Sequence, residues 1–204
     1  MTHISVLSAA RTAARPPACD RALFHDLAVV RFIARDLIER WHYDCSGTAG
    51  RRLARLEQAG VLCSRPLFAA GQQPVRIYRF TARAYAVHWG DPVPPAWAAR
   101  RLHHEILTAR AYFALNRPLG FRVAVHLDAA QRARFELHSP DAIYPQGDEL
   151  VLVEADSGRY TARQIRDKMG YWRAAGFPHQ VWVQPAQTAA ARVPEGPGIR
   201  ILRL

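Results

Sequence analysis

The run LVLVEA at residues 150–155 constrains the fold more than any other stretch of this sequence. Its apolar side chains stand at consecutive positions, so a strand built from it is apolar on both faces. Such strands lie in the middle of a sheet that is covered on both sides. The run therefore predicts a central strand, and it places the carboxylate of Glu154 near the end of that strand.

The residues around this run predict a mixed sheet with helices on its faces. A helix with a buried stripe at Leu102, Ile106, Ala109 and Phe113 precedes the sheet, and a second helix over residues 160–175 follows LVLVEA. Strands and crossing helices in this order are typical of an α/β domain. The other strands are predicted at residues 121–127, within residues 134–144 with an end near Pro140–Asp141, at residues 179–185, and at a sheet edge over residues 199–204.

Two carboxylates stand at the ends of neighbouring predicted strands. Asp141 follows Pro140 at the end of one strand, and Glu154 lies near the end of the next. Carboxylate oxygens are the ligands that Mg²⁺ prefers in proteins. Mg²⁺ or Mn²⁺ held by Asp141 and Glu154 would activate a water molecule for phosphodiester hydrolysis. The sequence therefore predicts a metal site at this edge of the sheet.

The first half of the chain predicts three helices followed by a β-hairpin, which is the element order of an N-terminal winged helix-turn-helix domain. Its third helix would enter the major groove of double-stranded DNA. The helices are predicted over residues 21–34, 35–41 and 49–60, with Ser46, Gly47 and Thr48 as the turn and N-cap before the third, and the hairpin strands over residues 61–68 and 75–81.

Arginines are concentrated on the third helix and on the hairpin. Their planar guanidinium groups suit contacts with phosphate and with base edges. In the alternative interpretation, this module only mediates dimerisation and its arginine face is solvated. The predicted DNA-binding residues are Thr48, Arg51, Arg52 and Arg55 on the helix and Arg76 and Arg79 on the hairpin.

The charge balance favours a polyanionic partner. The chain carries 28 basic and 17 acidic residues, which gives a net charge of +11, and Lys168 is its single lysine. A compositional bias in the coding sequence explains arginine in place of lysine, but it does not explain the deficit of acidic residues. A balance this basic is typical of proteins that bind nucleic acid.

Several other classes of site are not indicated. Cys19, Cys45 and Cys63 are far apart, so a thiolate zinc site is not expected, and an odd number of cysteines fits a reducing compartment. No run is long enough to span a bilayer, so we expect a soluble, cytoplasmic protein without a membrane partner. His103–His104–Glu105 lacks the spacing of a zinc protease, and Ser157–Gly158 lacks the context of a nucleophile elbow.

The acidic residues also carry a resemblance. Pro140–Asp141 and Glu154-Ala155-Asp156 are similar to the two parts of the PD-(D/E)xK signature of restriction-endonuclease-like nucleases. With Lys168 and Tyr171 in the following helix, residues 21–185 resemble the replication-relaxation family of plasmid and integrative-element proteins. Residues 1–20 are poor in acidic residues, contain Arg11 and Arg15 and lack a long apolar run, so they predict a disordered basic arm. The element order predicts a winged-helix DNA-binding domain at residues 21–90, and the resemblance implies that a PD-(D/E)xK nuclease-like domain follows it at residues 96–204.

The chain departs from that signature at one position, because Asp156 stands where these nucleases have lysine. An aspartate there would add a metal ligand or would repel the phosphate. Lys168 lies on one helical face with Gln164 and Tyr171 and could replace the missing cation; alternatively, it is a surface residue paired with Gln164 or Asp167. The resemblance adds Glu105 as a helix-borne carboxylate. The catalytic candidates are Asp141, Glu154, Asp156, Lys168 and Glu105.

Three functions stay open from the sequence. The first is an accessory or regulatory DNA-binding factor of mobile-element replication, mobilisation or transfer, whose second domain is inert. The second is a Mg²⁺- or Mn²⁺-dependent DNA endonuclease or nickase that uses Asp141, Glu154 and Lys168. The third is a platform that recruits a relaxase or a replication protein. A homodimer formed through Trp89, Trp97 and the hairpin is a further possibility.

Overall fold

A computed structural model of the chain describes residues 17–43, 46–68, 73–89, 99–135, 138–186 and 193–204. The chain divides into two compact units, Met1–Ala96 and Trp97–Leu204. Each unit combines helices with one sheet, so the predicted mixture of α and β structure is confirmed. Most of the predicted basic arm lies outside the described residues, but its last three residues already belong to the first helix.

The first unit consists of helices and a small antiparallel sheet. The strands are arranged in the order β1-β3-β2, and the β2–β3 hairpin pairs Leu62 with Phe80 and Leu67 with Val75. Leu53 and Leu56 face the core, as predicted. The elements are α1 (Ala18–Val30), β1 (Ile33–Ala34), α2 (Arg35–His42), α3 (Ser46–Gln58), β2 (Leu62–Leu67), β3 (Val75–Phe80) and α4 (Ala82–Trp89).

Two local predictions in this unit were wrong, and one helix was missed. The first helix ends at Val30 and not at residue 34, because Arg31 has a left-handed φ of 70° and the next residues form β1. Residues 46–48 are the first turn of α3 and not a turn before it, since Ala49 packs in the core. Helix α4 was not predicted; its Thr81 hydroxyl accepts from the N–H of Ala84 and so caps its first turn.

A buried carboxylate joins three elements of the first unit. Asp20 of α1 is inaccessible to solvent, and its Oδ2 accepts a 2.8 Å hydrogen bond from Nε of Arg52 on α3 and a further bond from Nη2 of the same side chain. Its Oδ1 accepts from the Tyr43 hydroxyl at 3.0 Å. Charged donors are what a buried carboxylate requires, so these contacts make Arg52 a structural residue.

The second unit contains a five-stranded mixed sheet in the order β4-β5-β6-β7-β8. The β4–β5 and β5–β6 pairs are antiparallel, whereas the β6–β7 and β7–β8 pairs are parallel. The elements are α5 (Ala99–Ala114), β4 (Arg122–Val123), a 3-10 turn (Ala124–His126), α6 (Ala129–Ala133), β5 (Ala142–Gln146), β6 (Glu149–Ala155), α7 (Ala162–Ala174), β7 (Gln180–Gln184) and β8 (Ile199–Arg203).

The central position predicted for LVLVEA is confirmed, because β6 is the middle strand and is buried from Val151 onward. Helix α7 covers one face, where Trp172 packs against Trp182 of β7 with ring centroids 5.9 Å apart. Helix α5 also packs on β6, and its predicted stripe is buried. The edge position predicted for the last strand is confirmed by β8.

Two strand predictions in this unit were wrong in extent. The strand expected over residues 121–127 is limited to β4, which the 3-10 turn follows. The strand expected to end near Pro140–Asp141 begins only after them. The carbonyls of His138 and Ser139 accept hydrogen bonds from the side chains of Trp172 and Lys168, and Pro140 has no N–H, so this segment cannot form a strand ladder.

No helix in the described part of the chain has the length and apolar character needed to cross a lipid bilayer. Trp97 and the side chain of Trp89, which were proposed for a dimer contact, lie outside the described residues, as does Cys45.

Replacing Arg52 with methionine should destabilise the first unit by about 3 kcal/mol, because the buried Asp20 carboxylate would lose its only cationic partner among the described residues. Arg55→Met on the same helix is the matched control and should change stability by less than about 0.5 kcal/mol, since Arg55 is exposed. Urea unfolding with hydrogen-exchange mass spectrometry on α1 and α3 measures both. Equal effects of the two variants would contradict a structural role for Arg52.

Candidate functional site

The antiparallel pairing of β5 with β6 brings Asp141 and Glu154 together. Ala142 pairs with Val153, so continuing the register by one residue places Asp141 opposite Glu154. The N–H of Asp141 donates to the carbonyl of Val153 at 3.0 Å, and Oδ2 of Asp141 accepts from the N–H of Ala155 at 2.8 Å. Asp141 is therefore fixed at the end of β6 that carries Glu154, although it precedes its own strand rather than ending it.

Lys168 reaches this pair from helix α7. Its Nζ lies 2.6 Å from Oε1 of Glu154 and 3.1 Å from the carbonyl oxygen of Ser139. The ammonium group also lies 4.9 Å from the ring centroid of Trp172. Lys168 therefore faces Glu154, which is the condition under which it could replace the missing cation, and that role stays a prediction. The alternative of a surface lysine paired with Gln164 or Asp167 is wrong, because Lys168 is buried.

Gln164 and Asp167, the other α7 residues considered with Lys168, make contacts away from Glu154. Gln164 forms a capping box with Thr161: the N–H of Gln164 donates to Oγ1 of Thr161, and Oε1 of Gln164 accepts from the N–H of Thr161. Asp167 pairs with Arg163 at 3.6 Å on the exposed side of the helix. Only the turn that carries Lys168 is directed at the sheet, together with Ile165, Met169 and Trp172.

One carboxylate oxygen of Glu154 accepts hydrogen bonds, and the other has no partner among the described residues. Oε1 accepts from both Lys168 and the Tyr160 hydroxyl, the latter at 2.6 Å. Oε2 is buried and has no hydrogen-bond partner among the described residues. A buried carboxylate oxygen without a partner is costly, and it marks a place where a donor or a cation would be stabilised.

Burial is the main cause of the raised pKa values of the two carboxyl groups at the site. Burial and, second to it, the neighbouring Asp141 together raise the pKa of Glu154 to about 7 against the opposing effect of Lys168. Burial likewise raises the pKa of Asp141, and the charge of Glu105 on α5 adds to the increase. Burial disfavours the charged form of these carboxyl groups, and a further cation beside them would stabilise that form.

Asp156, which stands at the position of the signature lysine, makes structural hydrogen bonds. Its Oδ1 accepts from the N–H of Gly158 at 2.8 Å, and its Oδ2 accepts from Nε2 of Gln184 on β7 at 3.2 Å. The side chain is fully buried in these contacts. They fix the loop after β6 to the neighbouring strand, and a direct catalytic role for Asp156 stays a prediction that no described contact supports.

Helix α5 contributes His104, which the sequence analysis considered only as part of a zinc-protease motif and set aside. Nδ1 of His104 lies 4.0 Å from Oδ2 of Asp141, and its Nε2 lies 3.2 Å from Oγ of Ser157. His104 and Glu105 are polar residues between the buried Leu102 and Ile106, which is the signal that could have pointed to this face. Tyr160 was also missed, because its contact with Glu154 depends on how the loop folds back.

The predicted DNA-binding residues of the first unit differ in their surroundings. Thr48, Arg51 and Arg55 are exposed on α3. Arg76 is exposed on the hairpin and donates to Oγ of Ser64 at 3.0 Å, whereas Arg79 is half-buried. Arg52 is held by Asp20, so among the α3 arginines only the exposed pair has side chains that project into solvent.

The donor set fits a hard divalent cation. The described residues contain no group of three or more His, Cys, Asp or Glu side chains placed to hold a metal ion. Mg²⁺, however, is commonly held by one or two carboxylates, with water and substrate phosphate oxygens as its other ligands. Asp141 and Glu154, with the bare Oε2 and raised pKa values, are such a pair.

Comparisons with protein-family models, with curated proteins and with solved structures give no match. The resemblance to the replication-relaxation family and to PD-(D/E)xK nucleases therefore stays a prediction.

Glu154→Gln should change how stability depends on pH. The folded state retains a proton on Glu154 up to about pH 7, whereas the ordinary value of 4.5 applies once the chain unfolds. The stability that protonated Glu154 contributes to the folded state is therefore lost as the pH rises from 4.5 through about 7. We expect Glu154→Gln to gain on the order of 2 kcal/mol relative to the native chain between pH 5 and pH 8.

Urea unfolding in chelator, followed by tryptophan fluorescence, measures this difference because Trp172 and Trp182 are buried beside the site. Glu195→Gln replaces an exposed carboxylate and should leave the pH dependence unchanged. A difference between Glu154→Gln and the native chain that is the same at both pH values would show that Glu154 is not protonated in the folded state near neutral pH.

Proposed function

We propose that this protein is a DNA-binding phosphodiesterase, an endonuclease or nickase that works with Mg²⁺ or Mn²⁺. The observation that carries the proposal is the 2.6 Å contact between Nζ of Lys168 and Oε1 of Glu154. In the PD-(D/E)xK signature a lysine stands two residues after the second carboxylate, where this chain has Asp156. Lys168, on the helix after the central strand, would supply the missing positive charge. The PD-(D/E)xK signature is then complete in its chemistry, with its lysine moved along the chain.

The side chains of the site divide the work of hydrolysis. Asp141 and Glu154 would hold the divalent cation, which when bound would lower the pKa of a coordinated water and polarise the phosphate. Lys168 and Tyr160 fix the Glu154 carboxylate through Oε1, so that Oε2 keeps one orientation. The ammonium group of Lys168 offsets negative charge that develops on the phosphate in the transition state.

The surroundings of Asp156 remove an objection to this chemistry. An aspartate that faced the phosphate would repel it, but the Asp156 oxygens accept hydrogen bonds from Gly158 and Gln184. Its charge is directed at those donors in the interior. The substitution that made an inactive domain plausible from the sequence is therefore compatible with an active one.

The first unit would hold the DNA. Helices α1, α2 and α3 followed by the β2–β3 hairpin are in the order of a winged helix, and this order supports the assignment of α3 as the helix that enters the major groove. Arg51 and Arg55 would contact phosphates or base edges from its exposed face. The hairpin arginine Arg76 would meet the flanking backbone.

A binding factor without hydrolytic activity is the second candidate. It is favoured by the same ion pair, because Lys168 neutralises Glu154 directly and such a contact can serve to orient α7 on the sheet. An accessory role in mobile-element replication, mobilisation or transfer belongs to this candidate. Recruitment of a relaxase or replication protein stays a prediction, since none of the described contacts bears on it.

Nicking of supercoiled plasmid in Mn²⁺ or Mg²⁺ separates the two candidates. We expect Asp141→Asn, Glu154→Gln and Lys168→Met each to lower the initial rate by about 100-fold or more, because each removes charge that acts on the phosphate or its cation. Asp167→Asn, which alters an exposed carboxylate one residue from Lys168, should keep the native rate. Folding of each variant is checked by circular dichroism.

A native chain that leaves the plasmid intact in both metals, while binding it, would favour the binding factor. Nicking that persists unchanged in all three site variants would show that the activity comes from elsewhere in the preparation.

Removal of the exposed arginines of α3 should weaken DNA binding and its dependence on salt. Arg51→Ala and Arg55→Ala should each reduce the slope of log affinity against log salt by about 0.9, the value for one lost phosphate contact. Arg132→Ala removes an exposed arginine of α6 in the second unit as the control. Fluorescence anisotropy with a labelled duplex gives the slopes, and identical slopes for all three variants would contradict the assignment of α3.

A further inference from the structure

Ser157, His104 and Asp141 form a chain of contacts beside the carboxylate pair. Oγ of Ser157 lies 3.2 Å from Nε2 of His104, and Nδ1 of the same ring lies 4.0 Å from Oδ2 of Asp141. The hydroxyl and the carboxylate thus face opposite nitrogens of one imidazole. Ser157 and His104 are 53 residues apart in sequence, so the fold creates this arrangement.

The order of these groups is that of an activated nucleophile. A carboxylate on the Nδ1 side stabilises the tautomer whose proton is on Nδ1, and that tautomer leaves Nε2 free to accept the serine proton. The contact of 4.0 Å is an ion-pair distance rather than a hydrogen bond. Catalytic contacts of this kind are often longer before substrate binds.

The loop that carries Ser157 is fixed and open to a substrate. Asp156 anchors it through the N–H of Gly158, which has a left-handed φ of 86°, and through Gln184 of β7. The side chain of His104 is 26% exposed and that of Asp141 is 31% exposed, so both can be reached from solvent. A nucleophile held on an anchored loop loses little conformational freedom when it reacts.

The charges nearby favour a phosphoryl group over a neutral ester as the electrophile. Arg159 comes two residues after Ser157, and its side chain is exposed. Guanidinium groups bind phosphate oxygens through paired N–H donors.

We propose that Ser157 is a nucleophile, activated by His104 and positioned by Asp141, that attacks phosphorus in a phosphodiester without needing a metal ion. The Oγ–H proton passes to Nε2 as the Oγ–P bond forms. The bond from phosphorus to the leaving nucleoside oxygen then breaks, and that oxygen takes the electron pair and the proton from His104. The product is a phosphoserine diester, and nothing is oxidised or reduced.

This activity goes beyond the proposed hydrolysis, in which water and not serine attacks. The two share Asp141, but they differ in their dependence on a divalent cation, in Glu154 and in the covalent intermediate. They can therefore fail separately.

Diisopropyl fluorophosphate tests the serine directly. In this probe, attack by Oγ forms the O–P bond, breaks the P–F bond and releases fluoride, while His104 takes the proton. The full-length chain is treated in excess EDTA, and intact-mass and peptide mass spectrometry locate and time the adduct. We expect one adduct at Ser157, lost in Ser157→Ala and retained in Ser46→Ala, which removes an exposed serine of α3.

Dependence on the base is the decisive readout. His104→Gln should slow the labelling of Ser157 by about 100-fold or more, as loss of a general base does. Asp141→Asn should slow it by about tenfold, whereas His103→Gln, a change at the neighbouring histidine, should not. Absence of an adduct at Ser157 in the native chain, or labelling at equal rates with and without His104, overturns the proposal. Adduct formation in EDTA by a chain that shows no metal-dependent nicking would support Ser157 as a nucleophile and contradict the proposed metal-dependent hydrolysis.

Discussion

The buried contact between Lys168 and Glu154 is the interaction on which the candidate site depends. It joins the helix that covers the sheet to the central strand, and the same ammonium group also binds the carbonyl of Ser139 just before Asp141. Removing two charges from water usually costs about as much as their attraction returns, so a buried pair is a weak source of stability. Here the contact serves to orient groups. Through Lys168 it fixes the Glu154 carboxylate, the segment that leads into β5 and the side of α7 that faces the sheet.

The electrostatics of the site follow mainly from the burial of its two carboxyl groups, which the charge of Lys168 only partly opposes. A chain of net charge +11 directs a single lysine at Glu154 and Asp141, and the pKa values of both carboxyl groups stay above their ordinary range. Among the described arginines, Arg52 is bound to Asp20, and Arg163 and Arg51 are exposed. Two carboxyl groups with raised pKa values are a place where a cation would be stabilised.

Local sequence patterns predicted the parts of the molecule that local physics determines. Consecutive apolar residues placed β6 in the middle of the sheet, and helical spacing identified the stripe of α5. The same spacing grouped Lys168 with Gln164 and Tyr171 but left open whether that face looks at Glu154. Contacts between distant residues were not accessible to such reasoning. Asp20 and Arg52 are 32 residues apart, and neither is unusual in its own segment. His104 and Ser157 were considered and set aside, because their motifs lack the spacings of known sites and only the fold brings them together.

The central claim is that Asp141 and Glu154 hold a divalent cation, and calorimetric titration with Mn²⁺ tests it most directly. Because the pKa of Glu154 is about 7, binding near neutral pH should displace a fraction of a proton, measurable as a heat that varies with the ionisation enthalpy of the buffer. The account predicts one saturable site per chain, coupled to proton release and lost in both Asp141→Asn and Glu154→Gln. No saturable heat, or binding that survives in both variants, would contradict it.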